Sequence, residues 1–304
     1  MEKMNFNMVT TGLKDYVNQV GTGEIISALA GSAKSIADFA QQGGVNAPTD
    51  IHLMTVAGDF ADGKNCTLGD SAFTFTDRQI VPAFLKIESV FCNNDIYGKW
   101  LAYNSSYDNG NRLPFEQKMV EAFKENFGEK LENYIWNGIT LGSKTYKGIV
   151  NLVETEGTQV KTGVGANAYE QVVKLIKAIP AKQFKNTVIY VSEPKMIELK
   201  EELLKRDFRL IDLDFTNNTI EGENAIKMPV FNTTVKAVTA LGNSQKMYAV
   251  VPEHCAYGYA TDGGAGDFAV VYDDVNERTI FRGKIAAGVQ IAYPSETFYA
   301  ENVD

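Results

Sequence analysis

The chain has 304 residues, and its acidic side chains outnumber the basic ones by 38 to 29, which gives a formal net charge of −9 at pH 7. A protein that holds duplex DNA through its phosphates needs a basic face, yet acidic residues are in excess in residues 1–50, 51–150 and 151–304 alike. The length predicts about two domains, and since the sequence has no apolar run of about 18 residues, no transmembrane helix is predicted.

The first predicted element is a helical N-terminal segment over residues 11–42, which the Gly-Thr-Gly sequence at 21–23 interrupts. Apolar residues recur at helical spacing on both sides of the break, and the second part is predicted to run from Glu24 to Ala40. The Gly-Gly pair at 43–44 ends it. Such an amphipathic segment needs a partner surface, either in its own chain or in a neighbouring copy.

The next predicted element is a long two-stranded ribbon. Residues 51–57 read as one strand, residues 58–65 are rich in turn formers, and residues 72–90 read as extended again. Pro82 lies inside this last run and indicates an edge or a bulge there. Because an isolated two-stranded ribbon is marginal in water, we expect this one to contact another surface.

The clearest periodicity predicts a helix over Pro114–Trp136, roughly 35 Å long at about 1.5 Å per residue. Gly138 follows it as a C-terminal cap. Gly128 lies inside the helix, where glycine costs about 1 kcal/mol relative to alanine. The apolar positions recur every four residues: Phe115, Met119, Phe123, Phe127, Leu131 and Ile135.

The second half of the chain begins with a helix, strand, helix order and continues as β structure. A helix is predicted over residues 168–178, a strand over Thr187–Val191, and a further helix that Ser192 caps. The later strand candidates are Phe208–Leu213, Pro229–Phe231, Val235–Ala240, Met247–Val251, Phe268–Tyr272, Thr279–Lys284 and Gly288–Tyr293.

Two glycine-rich stretches are similar to nucleotide-binding loops but stand in the wrong context. Residues 138–145 have a shorter glycine spacing than a phosphate-binding loop and follow a helix rather than a strand. Residues 163–168 match G-x-G-x-x-A, but the preceding residues 158–162 make a poor central strand, and no acidic ribose ligand is evident. We interpret the second stretch as a loop that starts a helix.

The sequence also contains incomplete versions of a serine-enzyme motif and of a cation-binding loop. Ser192 and Lys195 fit the S-x-x-K pattern of penicillin-recognising serine enzymes, but the K-T-G sequence at 161–163 precedes them, whereas in those enzymes it follows. Ser192 is therefore predicted to be a helix cap. Four late acids could surround a cation in principle, but they lack a D-x-D-x-D-G loop and are interpreted as solvated turn acids: Asp267, Asp273, Asp274 and Glu277.

The cysteines and histidines are few and scattered. Cys66, Cys92 and Cys255 are widely spaced, which is unlike a disulfide framework and suits a reducing compartment. His52 and His254 are the two histidines, so a zinc site or a histidine-based triad would have little to draw on. We therefore predict no catalytic residue, no metal and no cofactor.

The order of the elements is similar to that of one family. The run at 71–89 looks like the strand that returns from that family's extended loop, and 114–136 looks like its long spine helix. The Asn-Gly turn at 137–138, followed by Gly-Ile at 148–149, is similar to the step from the spine into the axial domain. Residues 168–206 resemble the helix, strand, helix order of that axial domain.

Two later segments complete the resemblance. Residues 221–230, which end in Met-Pro-Val, look like the loop before a small residue–Pro–Val strand, and residues 281–294 look like the C-terminal strand pair. The ordered set, over about residues 50–300, resembles the major capsid proteins of tailed double-stranded DNA phages, which have the Hong Kong 97 fold. Residues 1–49 match no pattern of that family.

The resemblance implies an α+β fold of the Hong Kong 97 capsid type, with an axial domain that has a central sheet and flanking helices. The implied divisions are an N-terminal arm (1–49), an extended loop or β ribbon (50–85), a peripheral domain (86–150 and 270–304) with the spine helix at 114–136, and the axial domain (151–269).

The resemblance also implies a structural function in a virion capsid assembled in the bacterial host cytoplasm. Copies of the chain would form pentamers and hexamers of an icosahedral shell, which would enclose double-stranded DNA without binding it specifically. Further partners would be scaffold, portal and decoration or other capsid proteins; no membrane is implied, and no cleavage of this chain is expected. The ribbon would reach over a neighbour, with these candidate interface residues: Phe60, Asp62, Lys64, Asn65, Phe73, Phe75 and Arg78.

Two alternatives stay open at this point. An encapsulin-like protein compartment shares the fold, and its contents would be protein rather than nucleic acid. A soluble two-domain α/β enzyme belongs to a different class and would need a pocket with convergent polar groups.

Overall fold

The computed structural model describes residues 14–15, 17, 21–57, 72–92, 115–205, 225–228, 231, 233–260, 267–273, 275–276 and 278–302. None of the helices in these ranges is long and apolar enough to cross a membrane. The elements up to residue 161 are, in chain order, α1 (Thr22–Ala30), a 3-10 helix (Lys34–Asp38), β1 (Ala40–Gly43), β2 (Thr49–Ala57), β3 (Ala72–Ile80), β4 (Ala83–Cys92), α2 (Phe115–Asn137), β5 (Ile139–Leu141), β6 (Lys144–Tyr146), α3 (Ile149–Glu156) and β7 (Thr158–Lys161).

The later elements alternate at first between helix and strand and then become mostly β structure. They are α4 (Ala168–Ala178), β8 (Val188–Val191), α5 (Glu193–Lys205), β9 (Ala225–Lys227), β10 (Thr234–Ala237), a 3-10 helix (Thr239–Leu241), β11 (Met247–Val250), a 3-10 helix (Pro252–His254), β12 (Cys255–Ala260), β13 (Asp267–Asp273), β14 (Arg278–Ile291), a 3-10 helix (Pro294–Glu296) and β15 (Phe298–Glu301).

A five-stranded sheet is built around β14, which has partners on both edges. β4 pairs with it antiparallel from residue 278 to residue 287, while β13 and β12 share its other edge, and β1 adds to β12 in parallel. The prediction of two strands here, Thr279–Lys284 and Gly288–Tyr293, is wrong, because β4 pairs across residues 285–287 and β12 pairs from residue 286 to residue 291, so the hydrogen bonding is continuous between them.

The N-terminal segment packs on its own chain. Leu29, Ile36 and Phe39 are buried in a core formed with α2 and the five-stranded sheet, which we call the first core. The predicted helix from Glu24 to Ala40 is too long. Helix α1 stops at Ala30, where Gly31 and Ser32 bond back to the last turn, and residues 40–43 form a strand because β12 offers them an edge.

The ribbon consists of β2 and β3, which pair antiparallel over their whole length from Thr49–Ile80 to Ala57–Ala72. Pro82 lies between β3 and β4, so the chain leaves the ribbon there and β4 joins the five-stranded sheet. A proline cannot donate a ladder hydrogen bond, which accounts for the change of partner at this residue. The predicted ribbon, which reached residue 85 with an edge or a bulge at Pro82, is therefore too long: the run 72–90 is two strands that belong to different sheets.

Helix α2 begins at Phe115 and ends at Asn137, within one residue of its predicted bounds. Phe123, Phe127 and Leu131 on its apolar stripe are buried in the first core. Gly128 is required because α1's end crosses it closely: a Cβ at Gly128 would lie 2.8 Å from the Ser32 carbonyl oxygen. The local cost of glycine is therefore offset by the close packing of the N-terminal segment on α2.

A six-stranded sheet with the order β7-β15-β11-β8-β10-β9 forms the second layer. Its strands alternate, so one face contributes Ile189, Val191 and Val235 to a second core beneath α4 and α5. The other face contributes Tyr190 and Tyr248 to the first core. The sheet therefore lies between two apolar layers, as the near-continuous burial of its short central strands indicates.

The strand pairings divide the chain differently from the predicted ranges. Strand β12, in the range 151–269 expected for the axial domain, belongs to the five-stranded sheet, and β15, in the range 270–304, belongs to the six-stranded one. The division into two domains stays a prediction. The predicted strand Val235–Ala240 is shorter in the structure, where β10 covers residues 234–237. The predicted strand Phe208–Leu213 lies outside the described residues, as do the first two residues of the predicted strand Pro229–Phe231.

Candidate functional site

The glycine-rich stretches do not form phosphate sites. Residues 139–146 form the β5–β6 hairpin, with Gly138 and Gly142 at positive φ, so no helix follows the second glycine. At the start of α4, the Asn167 side chain accepts from the Glu170 N–H, and the Ala168 N–H donates to the Glu198 carboxylate. The donors of this helix terminus are therefore occupied, and the interpretation as a helix-starting loop is confirmed.

Ser192 immediately precedes α5, as predicted. The Ser192 Oγ donates to the Ser244 carbonyl at 2.8 Å, and Lys195 is buried and paired with the Glu198 carboxylate at 2.8 Å. The hydroxyl hydrogen therefore joins the start of this helix to the loop between β10 and β11. Ser192 and Lys195 thus have separate structural partners.

Asp273 is the acid of a tight turn between β13 and β14. Its carboxylate accepts hydrogen bonds from the backbone N–H groups of Val275 and Asn276 and from the side chains of Asn276 and Arg278. These bonds, led by that of the Asn276 side chain, lower the pKa of Asp273 to about 2. Asp267 lies near Lys284, and Asp274 and Glu277 lie outside the described residues.

The Cys255 and His254 side chains have structural environments. Burial raises the pKa of the Cys255 thiol to about 12, so this group is not a nucleophile at neutral pH. His254 lies 2.9 Å from the Glu296 carboxylate and packs on Tyr293. Within the described ranges, no group of three or more metal-ligating side chains could hold a metal ion.

The ribbon presents an apolar face with large exposed side chains. Phe73 is 61% exposed, Phe75 is 71% exposed, and Met54, which pairs with Phe75, is 53% exposed. Residues directly opposite each other share a face, and residues two apart along a strand share it too. Phe73, Phe75 and Met54 therefore form one patch, which we call the ribbon patch.

The base of the same face is polar. His52 pairs with Asp77 at 2.7 Å, and the Gln79 amide donates to Asp50 at 3.1 Å. The face of the ribbon is thus charged near the sheet and apolar towards its far end. Of the other predicted interface residues, Phe60, Asp62, Lys64 and Asn65 lie outside the described residues.

Arg78 has a different role from the two phenylalanines. It lies on the opposite face of β3, and its guanidinium donates to the Glu156 carboxylate at 2.7 Å and to the Gln290 amide oxygen at 3.1 Å. The Gln290 amide in turn donates to the Gln79 carbonyl at 2.9 Å. Arg78 therefore anchors the ribbon to α3 and β14 of its own chain.

A glycine notch fixes the last residue of the ribbon. Gly258 and Gly288 are directly opposite each other in the β12–β14 pair, and a Cβ on either would lie 3.0 Å from Ile80 Cγ2. Ile80 is fully buried in the notch, and a Cβ on Gly258 would also lie 3.0 Å from Val45 Cγ2. No sequence-based prediction covered this site, although a lone glycine inside a strand can signal a close approach of this kind.

Replacing Gly288 by alanine is expected to lower the free energy of unfolding by about 1–3 kcal/mol, the usual cost of overpacking a tight site. The new Cβ would lie 2.8 Å from the Val81 carbonyl oxygen, a backbone atom that cannot move without shifting the ribbon. Urea denaturation would measure the change. Gly43→Ala is the control, since a Cβ there meets its nearest atom, in Tyr259, at 3.9 Å. Equal stability of Gly288→Ala and the native chain would contradict the notch.

The His52 imidazole is expected to titrate at a higher pH than an ordinary histidine. The hydrogen bond to Asp77 raises the pKa of His52 above its ordinary value. Any stabilisation of the ribbon by this pair is therefore present below the ordinary pKa and is lost as the pH rises through the raised one. An NMR titration of the imidazole should show the raised pKa, and Asp77→Asn should bring it back. If the pKa of His52 were the same in that variant as in the native chain, Asp77 would not be the cause of the raised pKa.

Comparisons with known proteins find similarity in structure alone. No family model matches the chain, and no curated protein matches it in sequence. Solved structures do match. The capsid of an empty GTA particle is 12% identical over 90% of both chains, with a TM-score of 0.59. The capsid of the myovirus phage XM1 is 13% identical over 90% of this chain and 92% of that one, with a TM-score of 0.57.

A third matching structure is a procapsid that includes a second protein. The procapsid of satellite phage P4, including a size determination protein, is 9% identical over 91% of this chain and 98% of that one, with a TM-score of 0.57. At this identity the likeness shows the fold and not the activity. The predicted α+β fold class is confirmed, and the chain has the Hong Kong 97-type fold of tailed-phage capsids.

Proposed function

We propose that the chain is a major capsid protein, which self-assembles into pentamers and hexamers of an icosahedral shell around the double-stranded DNA of a tailed phage. The observation that carries the proposal is the ribbon patch on a capsid fold. Phe73 and Phe75 expose large rings on a ribbon whose base is held firmly by Arg78 and Ile80. A clustered apolar surface of this kind is typical of an interaction site.

The partner we propose for the ribbon patch is a second copy of the chain. A surface on one copy that binds a different surface on the next closes into rings when the rotation allows it. Contacts of modest strength then add up over many copies. We extend the interface to Phe60, Asp62, Lys64 and Asn65, which belong to the same predicted ribbon, and we assign Arg78 to holding the ribbon in place.

The charge of the chain supports a container for nucleic acid. A net charge of −9 per copy disfavours tight binding to phosphates, which suits DNA that must enter and leave the shell. We also propose a scaffold, a portal and decoration proteins as partners, assembly in the bacterial cytoplasm, and no catalytic activity. The size determination protein in the P4 procapsid supports a scaffold-like partner by analogy alone.

The test is the size and content of the assembled protein. Gel filtration and negative-stain electron microscopy of the purified chain should show capsomers or megadalton shells. Particles purified from infected cells should contain nucleic acid, whereas an encapsulin-like compartment would contain protein cargo. A monomer that assembles under no condition of salt or added scaffold would overturn the proposal and favour a soluble two-domain protein.

A further inference from the structure

One face of the six-stranded sheet carries a row of polar-tipped side chains in register. Lys236 on β10 is paired with Tyr190 on β8, Tyr190 with Tyr248 on β11, and Tyr248 with Tyr299 on β15. Paired residues point to the same side of a sheet. The row therefore crosses four neighbouring strands on a single face, and we call it the tyrosine row.

The tyrosine row is the surface through which the sheet meets the first core. The Tyr190 ring packs on Trp136 of α2 with a centroid distance of 4.9 Å, and also on Phe39 at 6.4 Å. Tyr190 and Tyr248 are buried there, while their strand neighbours Ile189 and Ala249 face the second core. The row is thus the joint between the six-stranded sheet and the rest of the subunit.

A carboxylate from outside the sheet holds one side of the row. Asp38, on the 3-10 helix after α1, accepts from the Lys236 ammonium at 2.7 Å and from the Tyr190 hydroxyl at 2.9 Å, both on Oδ2. Lys236 is 6% exposed, so water screens the pair weakly. We call this the Asp38 contact.

A second carboxylate holds the other side in the same manner. Glu154, on α3, accepts from the Tyr248 hydroxyl at 2.7 Å and from the Lys246 ammonium at 3.0 Å, both on Oε1. Lys246 also lies 3.3 Å from the Glu301 carboxylate and over the Tyr299 ring. We call the bonds made by Glu154 the Glu154 contact. Each contact thus joins one outside carboxylate to one lysine and one tyrosine of the same layer.

The Asp38 contact includes Lys236 at one end of the row, and in the Glu154 contact Lys246 lies over Tyr299 at the other end, with the Trp136–Tyr190 stack between them. The hydrophobic driving force is non-directional, whereas hydrogen bonds to a charged group are short and directional. The loss of one contact would therefore free one end of the row while the stack keeps the layers together. We propose that Asp38 and Glu154 set the angle between the six-stranded sheet and the rest of the subunit.

This proposal rests on the proposed function for its consequence. In a shell, identical chains meet around fivefold and quasi-sixfold positions, so the angle between the two layers of a subunit changes how neighbours meet. Asp38 and Glu154 then determine which curvature of the shell is preferred. The native chain should form shells of uniform size, and a subunit with both contacts weakened should form shells of several sizes.

Pulsed electron paramagnetic resonance on the unassembled subunit measures a distance between the two layers, and a change in the angle between them changes that distance. Spin labels go on the exposed positions Lys124→Cys of α2 and Glu201→Cys of α5, with Cys66 and Cys92 changed to serine. Cys255 is buried and stays in place. Asp38→Asn combined with Glu154→Gln should broaden the distance distribution by about twofold or more, because the sheet then samples several orientations.

The single variants and a control sharpen the result. Asp38→Asn and Glu154→Gln should shift the mean distance in opposite directions, since they free opposite ends of the row. Asp77→Asn, which removes the exposed pair with His52 on the ribbon, should change nothing. A distribution as narrow in the double variant as in the native chain would overturn the proposal, and so would a shift of both single variants in the same direction.

Two further measurements keep the outcome decisive. If the double variant fails to fold, Tyr190→Phe with Tyr248→Phe removes one hydroxyl from each contact and leaves the rings packed, and a narrow distribution in that pair would overturn the proposal. Failure of the native chain to assemble would count against the proposed function, whereas an unchanged distance distribution would count against the angle alone.

Discussion

Replacing both Phe73 and Phe75 by serine is expected to abolish shell assembly while the subunit stays folded. Full burial of a phenylalanine side chain contributes about 1.5–3 kcal/mol, so losing two from each contact weakens it by about a hundredfold or more. Both rings are exposed in the isolated chain, at 61% and 71%, so the free energy of unfolding should change by less than about 0.5 kcal/mol per residue.

The measurement is gel filtration with electron microscopy for assembly and circular dichroism for the fold. Val275→Ser is the matched control. Val275 is 90% exposed in the β13–β14 turn, away from the ribbon, so its loss should leave assembly intact. Normal shells from the double serine variant would show that the ribbon patch does not carry the contact between copies.

Replacing Trp136 by alanine is expected to lower the free energy of unfolding by about 3–5 kcal/mol, the range for deleting a buried large aromatic side chain. Trp136 is fully buried and packs on Tyr190 and Phe39 with centroid distances of 4.9 and 6.2 Å. Its indole N–H donates to the Ser35 hydroxyl and to the buried Glu132 carboxylate. The substitution thus opens a cavity and removes a donor from that carboxylate.

Urea denaturation in the Phe73→Ser, Phe75→Ser background measures this loss without interference from assembly. Trp136→Phe is the companion variant: it retains an aromatic ring against Tyr190 and removes the indole donor, so its loss should be smaller than that of the alanine variant. A change within about 1 kcal/mol for Trp136→Ala would mean that the junction of α1, α2 and the six-stranded sheet is not a main source of stability.

Local pattern was sufficient for the long helices and for the ribbon. Helix α2 follows the four-residue recurrence of apolar residues, α4 has its predicted bounds of 168–178, and β2 and the start of β3 lie where the extended runs at 51–57 and 72–90 place them. These features depend on residues close together in sequence, whose spacing alone decides which face is apolar. The phenylalanines of the ribbon patch follow from the same reasoning.

Long-range pairing decided the features that the pattern missed. The predicted N-terminal helix is shorter because β12, more than 200 residues later, offers an edge to residues 40–43. Two predicted strands merge into β14 because β4 pairs across the first strand and the residues between them, and β12 continues the pairing across the second to residue 291. Arg78 anchors the ribbon to its own chain, since Glu156 and Gln290 are brought to it from distant parts of the chain.

The sequence by itself determined an acidic chain with few groups suited to catalysis, a long amphipathic helix, and an apolar ribbon in need of a partner. Only the tertiary structure decided why Gly128, Gly258 and Gly288 are glycines and how the tyrosine row meets Asp38 and Glu154. The physical reason is that helical period and turn chemistry act over a few residues, whereas close approaches and shared carboxylates depend on which distant strands become neighbours.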